Sequence, residues 1–107
     1  MDAAEAQYLY LTTKGRRSGL PREIEIWFTC HQGRYYVIAE YCTSYWVQNL
    51  QADARVQVRV GEKSFDATAR VIVAEGEPEL QSAVRQLSQK KYGWGEGLIV
   101  ELAPDRP

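Results

Sequence analysis

Arg55-Val-Gln-Val-Arg-Val-Gly-Glu-Lys-Ser-Phe-Asp-Ala-Thr-Ala-Arg-Val-Ile-Val73 alternates, turns and alternates again. Val56, Val58 and Val60 share one face of the first run, and Arg55, Gln57 and Arg59 share the other. Side chains on an extended backbone repeat every two residues, so this run is a strand with one buried face. Gly61-Glu62 follows, and glycine at the first central position suits a type II′ hairpin turn. The return from Ser64 to Val73 sets Phe65, Ala67, Ala69, Val71 and Val73 on one side. Its small alanines predict a tightly curved sheet or the close approach of another element. A lone hairpin cannot hide its apolar face, so further strands must cover it.

The flanking sequence supplies them. Upstream, Tyr8-Leu-Tyr-Leu-Thr-Thr13 alternates and is rich in strand formers. Ile24, Ile26, Phe28 and Cys30 share a face, with Glu25, Trp27 and Thr29 opposite, which predicts one continuous second strand. His31-Gln-Gly33 reads as a hairpin turn, and Arg34–Ala39 as a third strand. Glu40 to Ser44 break the pattern. Ser44 then suits the N-cap of a short helix reaching about Ala52, with Trp46, Val47 and Leu50 on one face. Downstream, Glu77-Pro78 opens a second helix whose Leu80, Ala83, Val84 and Leu87 form an apolar stripe. Lys90 and Lys91 suit its C-terminal end, and Gly93 and Gly95 stop it. Gly97–Leu102 is the last strand.

The order is therefore βββαββαβ. Short connections imply antiparallel pairing, and two helices cannot cover both faces of a parallel sheet. The fold class that follows is mainly β (α+β): a six-stranded antiparallel split β-barrel with two short helices. Residues 1–107 read as one domain, with 1–6 and 103–107 as frayed tails.

Composition narrows the function. A net charge of −1 over 107 residues gives no general attraction to nucleic acid. No apolar run reaches the ~18 residues of a membrane span. The acidic N-terminus lacks a signal pattern, which makes the expected location cytoplasmic. Two cysteines and one histidine offer neither a disulfide framework nor a zinc-spaced ligand set, so no metal is expected. No nucleophile–base pair is visible, and no catalytic residue can be named.

One segment departs from the near-neutral average. Lys14, Arg16, Arg17 and Arg22 fall within nine positions that contain no acid, together with Gly15, Ser18 and Gly19. Backbone N–H groups, a hydroxyl and fixed positive charge at one turn can cradle a phosphate or carboxylate. The alternative is a solvated loop, in which Arg22 pairs with Glu23 or Glu25. Trp46 and Asn49 lie three apart on one side of the short helix. Either Trp46 is core and Asn49 braces a loop, or both face a ligand. Tyr92 and Trp94, in the glycine-rich bend before the last strand, either wall a substrate pocket or shield the barrel end.

Thr12-Thr-Lys-Gly-Arg-Arg-Ser-Gly-Leu-Pro-Arg22 resembles the T-x-G-R-x-S-G-x-P-R signature of the deazaflavin-dependent nitroreductase family. Trp46-Val-Gln-Asn-Leu-Gln-Ala-Asp-Ala-Arg-Val-Gln-Val-Arg-Val-Gly61 is similar to that family's W-x-x-N-L-x-A-x-P-x-V-x-V-x-x-G block, and Phe65–Val71 extends the match. The resemblance implies a split barrel that binds the 8-hydroxy-5-deazaflavin coenzyme (F420), with FMN as second choice. It implies hydride transfer to a small-molecule electron acceptor of quinone, nitro or enone type. Arg17, Ser18 and Arg22 would hold the cofactor's phosphate and acidic tail, with Lys14 and Arg16 raising the local potential. The ring would lie against Val37–Thr43, at Ala39, Glu40 and Tyr41, with Trp46 and Asn49 beside it. In this segment Glu40, Tyr41 and Cys42 stand where many relatives carry Ser, Lys and Gly. A carboxylate there opposes the charge that a ring gains on reduction. That motivates a second reading, a non-catalytic binding or storage module for a flavin, tetrapyrrole or fatty acid. The resemblance also implies a homodimer, for which Tyr35 or Tyr36, Tyr41, Tyr45 and Trp27 are the expected exposed aromatics.

Overall fold

The computed structural model describes residues 6–73 and 75–105. Seven strands run through them: β1 (Tyr8–Lys14), β2 (Pro21–Trp27), β3 (Thr29–His31), β4 (Arg34–Ala39), β5 (Arg55–Val60), β6 (Lys63–Val71) and β7 (Leu98–Pro104). Helix α1 (Tyr45–Ala52) lies between β4 and β5, and α2 (Pro78–Tyr92) between β6 and β7. All pairings are antiparallel, in the order β2-β1-β5-β6-β7-β4-β3. The deciding hairpin pairs as its alternation demands, from Val60 opposite Lys63 to Arg55 opposite Thr68.

The strand count corrects the expected six. The run from Ile24 to Cys30 is two strands, and Phe28 is the break. β2 and β3 lie at opposite ends of the sheet although one residue separates them in sequence. The chain thus steps from one edge to the other, and the curled sheet closes along that seam as a split barrel. The reason is where the backbone groups of Phe28 find partners. Its N–H donates to Tyr92 Oη (3.0 Å), while its carbonyl accepts from Lys91 Nζ (3.0 Å) and Tyr92 Oη (2.9 Å). The last turn of α2 satisfies what a neighbouring strand would otherwise have taken. Alternation fails at the same point, and Phe28 and Thr29 are buried in succession.

The barrel interior holds Leu9, Leu11, Phe28, Val37, Val56, Val58, Val60, Ala67, Val100 and Leu102, capped by Leu50 of α1. A second cluster of Tyr36, Ile38, Ile72, Val84 and Ile99 fills the space between the sheet and α2. β4 and β7 are therefore covered on both faces. Tyr36, one of the two alternatives for an exposed aromatic on β4, is buried for this reason. Tyr35 is half-buried, its ring 5.2 Å from that of Phe65. Glu101 on β7 is buried as well. It accepts from Tyr36 Oη (2.9 Å), Arg34 Nη1 (3.0 Å) and Arg70 Nη2 (3.2 Å). Burial pushes its carboxyl up, but the Tyr36 hydrogen bond and the two guanidiniums outweigh that and hold it below the usual range. Burial and the same hydrogen bond push the Tyr36 hydroxyl well above its ordinary value.

Ala103 and Pro104, expected as tail, complete β7, and Asp105 N–H donates to Asp66 O (3.0 Å). The Ala6 carbonyl accepts from Lys91 Nζ (2.9 Å). The remaining tail positions, 1–5 and 106–107, lie outside the described residues.

Candidate functional site

The loop between β1 and β2 is a closed turn. Gly15 N–H donates to Leu20 O and Gly19 N–H to Gly15 O, each at 2.8 Å. Ser18 Oγ accepts from Leu20 N–H (3.1 Å), and its hydroxyl donates to no group among the described residues. A Cβ on Gly15 would lie 2.7 Å from Ser18 Oγ and 3.1 Å from Leu20 O, so a larger residue would push the Ser18 side chain and the Leu20 carbonyl aside.

Beside the turn is a cavity of about 580 Å³, lined by Arg16, Arg17, Ser18, Arg22, Tyr45, Trp46 and Asn49 among others. The arginines divide into two kinds. The backbone N–H and Nη1 of Arg16 both donate to Asn49 Oδ1 (3.2 Å each), and its guanidinium lies 5.4 Å from the Tyr45 ring centre. The side chains of Arg17 and Arg22 have no hydrogen-bond or ion-pair partner among the described residues. The carboxylates that could have paired with Arg22 are engaged elsewhere. Glu23 meets Arg59 Nη2 (3.4 Å), and Glu25 accepts from Tyr10 Oη (2.6 Å). Lys14 does not join the cavity. It lies in a separate cleft with Asp53, Arg55, Asp66 and Asp105, because alternation along β1 sends it away from the arginines.

Asn49 is buried in α1, and its Nδ2 donates to Thr13 Oγ1 (3.2 Å). It ties helix, strand and loop together and also lines the arginine cavity. Trp46, three residues earlier, is half-buried and lines two cavities at once.

The second cavity, also about 580 Å³, is mainly aromatic and apolar. Trp27, Phe28, Tyr36, Ile38, Ala39, Tyr41, Trp46 and Trp94 line it, with Ser44, Glu25 and Glu40. Ala39, Glu40 and Tyr41 sit where β4 gives way to α1. Ser44 occupies the N-cap position of α1, but its hydroxyl donates to Tyr41 O (2.9 Å) and holds that bend instead of capping the helix. Trp94 is anchored through its carbonyl by Ser88 Oγ (2.6 Å). Trp27 stacks on Tyr92, with ring centres 4.5 Å apart and 5° between the planes. Tyr92 thus serves the seam, and Trp94 walls the cavity. Trp27, Tyr36 and Ser44 are lining residues that sequence reading did not assign to the site. The break at Phe28, which directly follows Trp27, has no local signal.

The arrangement has a flat apolar chamber and a cationic chamber with one indole as their common wall. It suits a molecule with a planar ring at one end and an anionic tail at the other. The two unpaired guanidiniums and the Ser18 hydroxyl are the kinds of donor that a phosphate or carboxylate needs.

A family model described as F420H(2)-dependent quinone reductase matches residues 3–95. Among solved structures, an F420-H2-dependent reductase, FDR-A, superposes with a TM-score of 0.73 at 21% identity, covering 90% of this chain and 93% of that one. The haem storage protein HutZ from Vibrio cholerae gives a TM-score of 0.79 at 18% identity, covering 98% and 86%. A chain solved as a domain-swapped dimer gives 0.71 at 22% identity, covering 90% and 78%. At these identities the likeness shows the fold. No curated protein sequence matches the chain.

Proposed function

The chain belongs to the F420H(2)-dependent quinone reductase family, and from that premise we propose that it passes a hydride from F420H(2) to a quinone-, nitro- or enone-type acceptor. The supporting observation is the shared wall: Trp46 borders both the aromatic cavity and the cavity of unpaired arginines. When bound, the reduced coenzyme supplies the hydride; the protein's part is binding, orientation and exclusion of water.

Arg17 and Arg22 would hold the anionic tail with paired N–H groups, and Ser18 would donate its free proton beside them. Arg16 and Asn49 keep the turn in the geometry that presents those groups. Ala39, Tyr41 and Trp46 would border the ring, and Trp27, Phe28 and Trp94 keep water from the chamber. Cys30 and Cys42 are both thiols, which suits a reducing cytoplasm. The domain-swapped relative and the exposed Tyr41 and Tyr45 support a homodimer.

Titrating the protein with F420 while following tryptophan emission tests the reading, because all three tryptophans line the aromatic cavity. Saturable quenching, followed by oxidation of F420H(2) on adding a quinone, is the expected result. No binding at high micromolar coenzyme rejects it. Tight binding with no turnover by any acceptor points to the storage reading that Glu40 motivates.

A further inference from the structure

We propose that the aromatic cavity selects its acceptor by charge: it admits neutral and cationic planar acceptors and excludes anionic ones, through Glu25 and Glu40. This inference rests on the redox reading above, which leaves the acceptor's character open.

The charged side chains that line this cavity are both acidic, and no lysine, arginine or histidine lines it among the described residues. Glu40 is exposed at the end of β4 and has no partner among the described residues. Glu25 accepts one neutral hydrogen bond, from Tyr10, so its charge is not cancelled. Arg59 of β5, opposite Tyr10, is spent on Glu23 and on the face of the Tyr10 ring, 4.1 Å from its centre. The positive charge of the site lies in the other chamber, on the far side of Trp46.

The remaining walls act in the same sense. Aromatic faces carry negative quadrupole potential, so indoles attract cations and electron-poor rings and repel anions. Every tryptophan in the chain lines this one cavity. A coenzyme entering with its anionic tail toward the arginines and its ring toward the indoles meets a favourable field at both ends. An acceptor, which has only the aromatic chamber to enter, meets two carboxylates and no compensating cation. At separations of ~6 Å and an effective dielectric of ~80, which suits exposed carboxylates, the two together change the affinity for a unit charge by about tenfold.

Three nitroarenes of matched size test the inference: 4-nitrobenzenesulfonamide (neutral), 4-nitrobenzenesulfonate (anionic) and 4-nitrophenyltrimethylammonium (cationic). Each is titrated into F420-saturated protein at low salt, with affinity read by calorimetry and tryptophan quenching. In the wild type the sulfonate should bind about tenfold more weakly than the sulfonamide, and the ammonium at least as tightly as the sulfonamide. In the Glu25→Gln/Glu40→Gln double variant the sulfonamide-to-sulfonate affinity ratio should fall to within about threefold. The amide oxygen introduced by Glu25→Gln would still accept from Tyr10, and Glu40 has no contacts to lose, so the variant should fold. Equal affinity for sulfonate and sulfonamide in the wild type, or a ratio unchanged in the variant, overturns the inference. Coenzyme binding is titrated separately. If it fails while the charge preference persists in coenzyme-free protein, the redox reading falls and the charge filter stands.

Discussion

Replacing Asn49 with alanine should cost both stability and coenzyme affinity, and replacing it with aspartate should separate the two. Asn49 accepts from the backbone N–H and Nη1 of Arg16 and donates to Thr13 Oγ1. Both Asn49 and Thr13 are buried, at 4% and 1% exposure. Alanine leaves the Arg16 N–H and the Thr13 hydroxyl without partners. At about 1 kcal/mol for each lost bond, plus part of the desolvation cost of the orphaned groups, the loss is about 2–3 kcal/mol. For a chain of this size that lowers the melting midpoint by roughly 10–15 °C. The untied loop must then be ordered on binding, so F420 affinity should fall about tenfold. In Asn49→Asp the carboxylate still accepts from Arg16, and the Thr13 hydroxyl can rotate to donate to it. Stability should stay within about 1 kcal/mol of wild type. The new charge faces the anion cavity, however, and should weaken F420 binding at least tenfold, by an amount that shrinks with salt. Urea denaturation followed by tryptophan emission, and coenzyme titration on the same samples, measure both quantities. If Asn49→Ala is as stable as wild type, or Asn49→Asp binds F420 as well as wild type, the bracing argument is wrong.

The unpaired arginines should behave in the opposite way. Arg17→Ala and Arg22→Ala should each weaken F420 binding about 10- to 100-fold, with melting midpoints within about 2 °C of wild type; a stability loss as large as that of Asn49→Ala would assign them to the scaffold. Tyr92→Phe leaves the Phe28 N–H unpaired and should cost about 1–2 kcal/mol, with faster amide exchange at Phe28 and a shifted Trp27 emission; unchanged exchange would show that another group holds the seam. Glu101 titrates below its ordinary range in the folded state, so its contribution is fully present above the unfolded-state value of about 4.3 and is lost as pH falls through the lower folded value. Glu101→Gln should therefore be less stable than wild type by about 1–2 kcal/mol at neutral pH, discounted because Arg34 and Arg70 are half exposed. The two proteins should converge in urea midpoint as pH falls through that lower folded value, and a constant gap across that fall would remove Glu101 as the linked group.

What can be read along the chain depends on the range over which each signal is set. Alternation from Arg55 to Val73, Pro78 at the first position of α2 and the left-handed Gly93 at its end are decided by residues within a turn or a pleat of one another. Those elements form where the local pattern puts them. The basic turn is legible for the same reason, and so are two groups of cavity-lining residues, Arg16–Arg22 and Ala39–Tyr41. The sorting among them is not. Whether an arginine faces a ligand or braces a loop depends on Asn49, thirty-three residues away from Arg16. Lys14 is set apart from the arginines by the strand pleat and by the cleft it shares with Asp53 and Asp66.

Periodicity and composition alone therefore determined a curled antiparallel sheet with two helices and one exposed basic turn. The tertiary structure decided that the second strand breaks at Phe28, since the groups that satisfy its backbone belong to Lys91 and Tyr92, over sixty residues later. It also decided that three tryptophans scattered from position 27 to 94 wall one chamber, next to the arginines and separated from them by Trp46. Neither result has a local cause, because hydrogen-bond partners and cavity walls are chosen by proximity in space, which a one-dimensional pattern does not encode.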